Sequence, residues 1–185
     1  VEVDEDVPIG SLLTTIRFRD NDTGSNSAVI FEIVDGNPDG LFRIDPFGNV
    51  FVSGTLDFEE SPEHKINVSL TPFSGKHGSF FTTVVIHVQD KNDEAPYFID
   101  GNRITLRISE NQEIRYPVII SSIKAIDKDV NQTTETTYSL TSGNSSLFFV
   151  DSSTGDLILN FPLDYEDTKE YDLVIRATDS GNPQL

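Results

Sequence analysis

The tetrapeptide Leu56-Asp57-Phe58-Glu59 returns as Leu163-Asp164-Tyr165-Glu166, an offset of 107 positions. Other features recur in the same order. Glu5 is echoed by Glu110, Asp20-Asn21-Asp22 by Asp127-Lys128-Asp129, and His64, Ile66, Val68 and Leu70 by Tyr171, Leu173, Ile175 and Ala177. A period near 107 in a chain of 185 residues means two tandem copies of one unit, each large enough to bury its own core. The fold of the chain is therefore the fold of one copy, met twice.

Strand signals come at short, regular intervals and no helical period is sustained, which argues for an all-β sandwich. In the first copy Leu13 and Thr15 carry one strand. Val29, Phe31 and Ile33 alternate in another, spanning Ala28 to Val34, and Phe42 and Ile44 form a short strand. Asp45-Pro46-Phe47-Gly48 turns into Val50 and Val52. Ile66, Val68 and Leu70 then share one face of a strand, and Phe80, Thr82, Val84, Ile86 and Val88 share one face of the next. That strand ends in Asp90-Lys91-Asn92-Asp93-Glu94-Ala95-Pro96-Tyr97-Phe98, where Pro96 stops regular continuation. Ile104, Leu106 and Ile108 predict a new alternating strand on the far side. Both ends read as cut. The first copy lacks the proline-aromatic entry of the second, and the second stops before any counterpart of Phe80 to Gln89.

Charge narrows the chemistry. A net charge of −18, from 31 acidic and 13 basic residues, opposes nucleic acid, whose phosphates would be repelled. The chain has no Cys, so neither a disulfide nor a thiolate metal site is available. The oxygen ligands that remain suit a hard cation such as calcium, which takes six to eight of them. Acidic pieces recur at matched positions on both sides of the joint, which points to a metal-binding joint. Like charges about 5 Å apart repel by roughly 3 kcal/mol at an effective dielectric near 20. Four glycosylation sequons, at Asn21, Asn67, Asn131 and Asn144, point to an extracellular setting, with Asn67 on the outward face of a strand. No apolar run long enough to cross a membrane is present, so any anchor is expected elsewhere.

Taken in order, the leading Glu, Asp-x-Asp, Leu-Asp-x-Glu, Asp90 to Phe98 and Ala177-Thr178-Asp179-Ser180-Gly181 resemble cadherin repeats over nearly the whole chain. The resemblance implies two tandem seven-stranded Greek-key sandwiches, of immunoglobulin-like type, at residues 1–90 and 96–185, with a calcium-binding linker at 91–95. It implies three calcium ions at that linker. The first would take Glu5, Asp57, Glu59 and Asp93, and the second would share Glu5, Glu59 and Asp93 while adding Asp90, the Lys91 carbonyl and Asp129. The third would take Asn92, Asp127, Asp129 and Asp179, with carbonyls from Glu94 and from Thr133 or Thr134. Asp20 and Asp22 would serve a joint to an upstream repeat, weakened because Pro72 stands where the second copy has Asp179. Glu110, Asp164 and Glu166 would be half of a downstream joint.

The function so implied is a calcium-stiffened extracellular segment of a long, non-classical cadherin or protocadherin-like receptor. It would sit in a single-pass plasma-membrane protein and serve cell–cell adhesion or mechanical tethering. Its partner would be another cadherin-like ectodomain, of the same or a different kind. With no Trp, this segment has no means of the tryptophan exchange used by the best-known adhesive members. Two alternatives stand beside it: a heterophilic receptor for a protein ligand, and a secreted calcium-dependent carbohydrate-binding module or enzyme. His64, His77 and His87 lack metal or catalytic spacing. Phe73, Phe80 and Phe81 are expected in core or edge packing rather than in a partner patch.

Overall fold

The computed structural model describes residues 1–18, 29–73, 78–111, 115–129 and 135–185. Every regular element among them is a strand, and they fall into two units, Val1–Lys91 and Asn92–Leu185. The first unit contains β1 (Glu2–Asp4), β2 (Leu12–Thr15), β3 (Val29–Asp35), β4 (Phe42–Ile44), β5 (Asn49–Val52), β6 (Glu63–Pro72) and β7 (Phe80–Gln89). They form a four-stranded sheet ordered β1-β7-β6-β3 and a three-stranded sheet ordered β2-β5-β4. The β6–β7 pair runs antiparallel from Glu63↔His87 to Leu70↔Phe80, while β1 lies parallel to β7 with Glu2 opposite His87.

The alternation read from the sequence decides which residues meet between the sheets. Ile66, Val68, Val50, Val52 and Ile86 are all fully enclosed, and Phe31, Phe42, Leu56 and Val88 complete the core. Burying each of these large aliphatic or aromatic side chains contributes about 1.5–3 kcal/mol. On β7 the inward face closes only toward its end. Val84 is half-buried and Ile86 and Val88 are buried, whereas Phe80 is exposed. Phe73 and Phe81 stand outside the core too, at 77% and 70% exposure, so of the expected core or edge packing the core placement does not hold.

The second unit contains β8 (Tyr97–Phe98), β9 (Val118–Ser122), β10 (Ala125–Ile126), β11 (Thr137–Ser142), β12 (Phe148–Val150), β13 (Asp156–Leu159) and β14 (Val174–Thr178). They pair as a three-stranded sheet ordered β12-β13-β9 and as the pairs β11-β14 and β10-β8. Ile123, Tyr138, Phe148, Val150, Leu157 and Leu159 form its core, with Tyr171, Leu173, Ile175 and Ala177 packed against it on the face their periodicity predicts. The predicted strand through Ile104, Leu106 and Ile108 is not formed, and Ile104 and Leu106 are 40% and 41% exposed. In the first unit the matching segment, β1, is a strand because β7 supplies its hydrogen-bond row. Among the described residues of the second unit no strand offers such a row to this segment, and an extended stretch without a ladder leaves its backbone groups to water.

Candidate metal centre

In the first unit, the parallel pairing of β1 with β7 carries Glu5 to the end of β7, where the Glu5 backbone N–H donates to the Gln89 carbonyl. Burial of Leu56 anchors the neighbouring loop. Glu5 is enclosed at 4% exposure and both its oxygens are held: Oε2 accepts from the Phe58 N–H at 2.7 Å and Oε1 from the Lys91 N–H at 2.6 Å. Asp57 shapes the same loop by accepting the Glu60 N–H at 2.8 Å, and its own carbonyl accepts the Ser61 N–H. One carboxylate oxygen each of Glu5 and Glu59 lies within 4.8 Å of the other, and one each of Glu59 and Asp90 lies within the same limit. The Lys91 ammonium binds Asp4 at 2.8 Å. That hydrogen bond, with the charges of Asp4, Asp6 and Glu5 behind it, holds the Lys91 pKa above its ordinary value.

In the second unit, β10 delivers Asp127-Lys128-Asp129 and β14 delivers Asp179. One oxygen from each of these aspartates lies within 4.8 Å of the other two. Asp179 is completely buried and Asp129 nearly so. Asp127 Oδ1 accepts the Asp129 N–H at 3.0 Å, while Asp127 Oδ2 is buried with no hydrogen-bond partner. Asp129 Oδ2 accepts the Glu94 N–H at 3.3 Å, and the Glu94 carboxylate binds Lys128. Asp179 Oδ1 accepts from the Leu185 N–H at 2.9 Å and Oδ2 from the Asn92 amide at 2.6 Å. Asn92 is buried, and its Oδ1 also lacks a hydrogen-bond partner. Asp93 is exposed.

Three carboxylates this close repel by about 3 kcal/mol per ionised pair at an effective dielectric near 20. Their oxygens, with two enclosed oxygens that have no hydrogen-bond donor, match what a hard divalent cation requires. The donor set fits calcium and contains no nitrogen or sulfur that would favour zinc.

A second acidic group in this unit joins Glu110, Asp164 and Glu166, again with oxygens within 4.8 Å. The Tyr165 N–H donates to Glu110 Oε2, and Asp164 Oδ1 accepts from the Glu166 and Asp167 N–H groups at 3.0 and 3.1 Å. These side chains are more open to solvent than the Asp179 group.

Of the other expected residues, Asp20, Asn21, Asp22, Asn131, Thr133 and His77 lie outside the described residues, as does the alternative carbonyl of Thr134. Asn67 stands on the outer face of β6, where its amide donates to Asp35 at 3.2 Å and its oxygen accepts from Thr83 at 2.7 Å. Asn144 is exposed and caps its own turn through the Ser146 and Leu147 N–H groups. A surface cleft of about 310 Å³ in the first unit is lined by Asn37, Asp39, Asp57, Glu60 and His64. Asn37 spends both amide atoms on the Phe42 backbone, Asp57 caps the Glu60 turn, and His64 packs edge-on against Phe42. Asn37 is thus committed to holding its own loop. The resemblance implies that Asn92 and Asp179 meet at one ion, but the hydrogen bond between them, with Gly181 and Leu185 as their neighbours, emerges only from the folded loop.

A family model described as the cadherin domain matches residues 1–89 and 104–185. Among curated relatives, cadherin-3 of Caenorhabditis elegans is 42% identical over 158 residues, covering 84% of this chain and 4% of its own length. The protein dachsous of Drosophila melanogaster is 33% identical over 189 residues, covering 99% of this chain and 5% of its own. Among solved structures, extracellular cadherin domains 3–6 of protocadherin gamma B2 superpose with a TM-score of 0.86. That likeness covers 100% of this chain and 44% of the other, at 24% identity, and speaks to the fold. The chain spans about one twentieth of the length of the curated relatives it matches.

Proposed function

The chain belongs to the cadherin family, and on that premise we propose that its two extracellular adhesion-type repeats are stiffened by calcium within a long cell-surface receptor. The observation that carries the reading is the group formed by Asp127, Asp129 and Asp179, together with the enclosed oxygens Asp127 Oδ2 and Asn92 Oδ1. Each repeat contributes a part of the ligand set that the family resemblance implies. Glu5, Asp57, Glu59, Asp90 and the Lys91 carbonyl come from the first. Asn92, Asp93, the Glu94 carbonyl, Asp127, Asp129, Asp179 and a carbonyl at Thr133 or Thr134 come from the second. We assign three ions to this set. Calcium supplies charge neutralisation: carboxylates that repel one another become ligands of shared cations, and the linker at 91–95 loses its freedom to bend.

Extracellular calcium modules bind at roughly 10⁻⁴ to 10⁻³ M, so millimolar calcium fills such sites to a large extent. The downstream group at Glu110, Asp164 and Glu166 serves the next joint in the same way, as Asp20 and Asp22 serve the preceding one. The whole receptor is anchored by a single membrane span outside this chain, and its partner is another cadherin-like ectodomain. Calorimetric titration combined with small-angle scattering tests the proposal. Three ions bound per chain, and an interrepeat flexibility that rises on chelation while the β signature in circular dichroism persists, are the expected results. An unchanged scattering profile with and without chelator overturns the stiffening role.

A further inference from the structure

Asn92 is held in a way that makes its amide, and not merely its oxygen, the requirement at that position. Its Nδ2 donates to Asp179 Oδ2 at 2.6 Å and to the Pro183 carbonyl at 2.7 Å. A carboxylate and a carbonyl are both acceptors, so only the NH2 end of an amide fits between them. The other end, Oδ1, is buried and has no hydrogen-bond partner. A Cβ on residue 181 would lie 1.9 Å from Asn92 Oδ1 and 2.1 Å from its Cγ, so Gly181 is what leaves room for the amide. Asp179 is locked from its other side. Its Oδ1 accepts the Leu185 N–H at 2.9 Å and its carbonyl accepts the Gln184 side-chain amide at 2.8 Å.

We infer that Asn92 is a specificity-determining residue whose two amide hydrogens fix which atom it offers to a cation, with Gly181 as the positioning residue that admits it. This rests on the calcium reading above. The consequence runs against charge counting. Asn92→Asp adds a carboxylate to a calcium site and weakens that site. Ionised, the introduced carboxylate sets an oxygen against Asp179 and the Pro183 carbonyl; protonated, it has a single hydrogen for two acceptors. Gly181→Ala leaves the charge and the amide unchanged but displaces the amide, and has the same effect.

The experiment titrates calcium into the wild-type chain, Asn92→Asp and Gly181→Ala by calorimetry. It also follows thermal unfolding in chelator as a function of pH. The expected result is a site lost from the stoichiometry, or its affinity lowered at least tenfold, in both variants. The expected pH signature is a stability of Asn92→Asp in chelator that falls, relative to wild type, as pH rises through the ordinary aspartate range near 4. Calcium affinity in Asn92→Asp equal to or tighter than wild type overturns the inference. Should Asn92→Asp fail to fold, nitrogen-15 NMR of the wild type decides. The expected result is that the Asn92 side-chain NH2 protons exchange slowly without calcium, and exchange as fast as that of the exposed Asn144 amide overturns the clamp. A wild type that takes up no calcium overturns the calcium reading itself, while the NMR and pH measurements still judge the clamp.

Discussion

The two repeats carry the same acidic loop, and they hold it in different environments. Glu5 accepts the Phe58 N–H and Glu110 accepts the Tyr165 N–H, while Asp57 and Asp164 each cap the N–H groups just beyond them. Yet Glu5 is enclosed, with a second donor from Lys91, and Glu110 is partly open to solvent. The hydrogen bonds that define the loop are therefore local to the repeat, whereas the burial of its glutamate depends on the chain that follows β7. A second pair shows the same separation. Phe42 meets His64 and Phe148 meets Tyr171 with ring centroids 5.3 Å apart in both cases, at interplanar angles of 67° and 65°. An edge-to-face site survives a change of ring, since it needs a flat aromatic partner and not a particular residue.

If the repeats are independent bodies with separate cores, a core truncation in one leaves the other intact. Ile66→Ala empties a fully enclosed site in the first unit and should cost that unit about 2–5 kcal/mol. For a domain of this size that lowers its midpoint by roughly 4–8 °C per kcal/mol. Leu159→Ala should do the same to the second unit alone. Differential scanning calorimetry that shows both transitions moving together for either change would falsify the independence of the cores.

A subtler contrast separates the two glutamates. Glu5→Gln keeps one acceptor but turns an NH2 toward one of two backbone donors, leaving an enclosed N–H unmatched at a cost of about 1–3 kcal/mol. Glu110→Gln can turn its remaining oxygen to the Tyr165 N–H and should change unfolding in chelator very little. Denaturant melts that rank the two substitutions equally would show that the Lys91 contact adds nothing.

Calcium sharpens the comparison from the other side. Asp129→Ala removes a residue assigned to two ions and should eliminate at least one site, whereas Asp39→Ala, on a surface loop, should leave calorimetric stoichiometry unchanged. At a tenfold excess over Kd each lost ion withdraws about 1.4 kcal/mol from the bound form. Matching titrations of the two variants would contradict the assignment.

The smallest effect concerns two turns at matched positions. At Asp151, the Thr154 and Ser153 N–H groups hold the carboxyl below its ordinary value of 3.8. At Asp45, partial desolvation pushes the other way but is outweighed by hydrogen bonds from the Asn49 side chain and from the Asn49 and Phe47 N–H groups. A carboxyl depressed in the folded state stabilises above its unfolded pKa, and that contribution is lost as pH falls through the folded value. Asp45→Asn and Asp151→Asn should each flatten the acid limb of stability below pH 3.8, measured by urea unfolding. An acid limb as steep as wild type in both would remove the turns from the account.

What could be read from the residues alone was whatever depends on spacing along the chain. The 107-residue offset separated two units, period-two alternation set Ile66, Val68 and Leu70 facing inward, and Leu-Asp-x-Glu marked a loop whose aspartate caps the N–H groups just beyond it. The tertiary structure decided what depends on distant partners. Ile104 to Ile108 has a strand's pattern, but a strand exists only where another backbone supplies its hydrogen bonds, and none of the described strands does. Phe73 and Phe81 are expected in core or edge packing, yet they stand 77% and 70% exposed, outside the core of their unit. Asp179 and Asn92 lie 87 positions apart, and their hydrogen bond arises from closure of the loop after β14 onto the start of the unit. Residue type sets what each group can donate, accept or bury, and only three-dimensional closure determines which groups meet and how far water is kept from them.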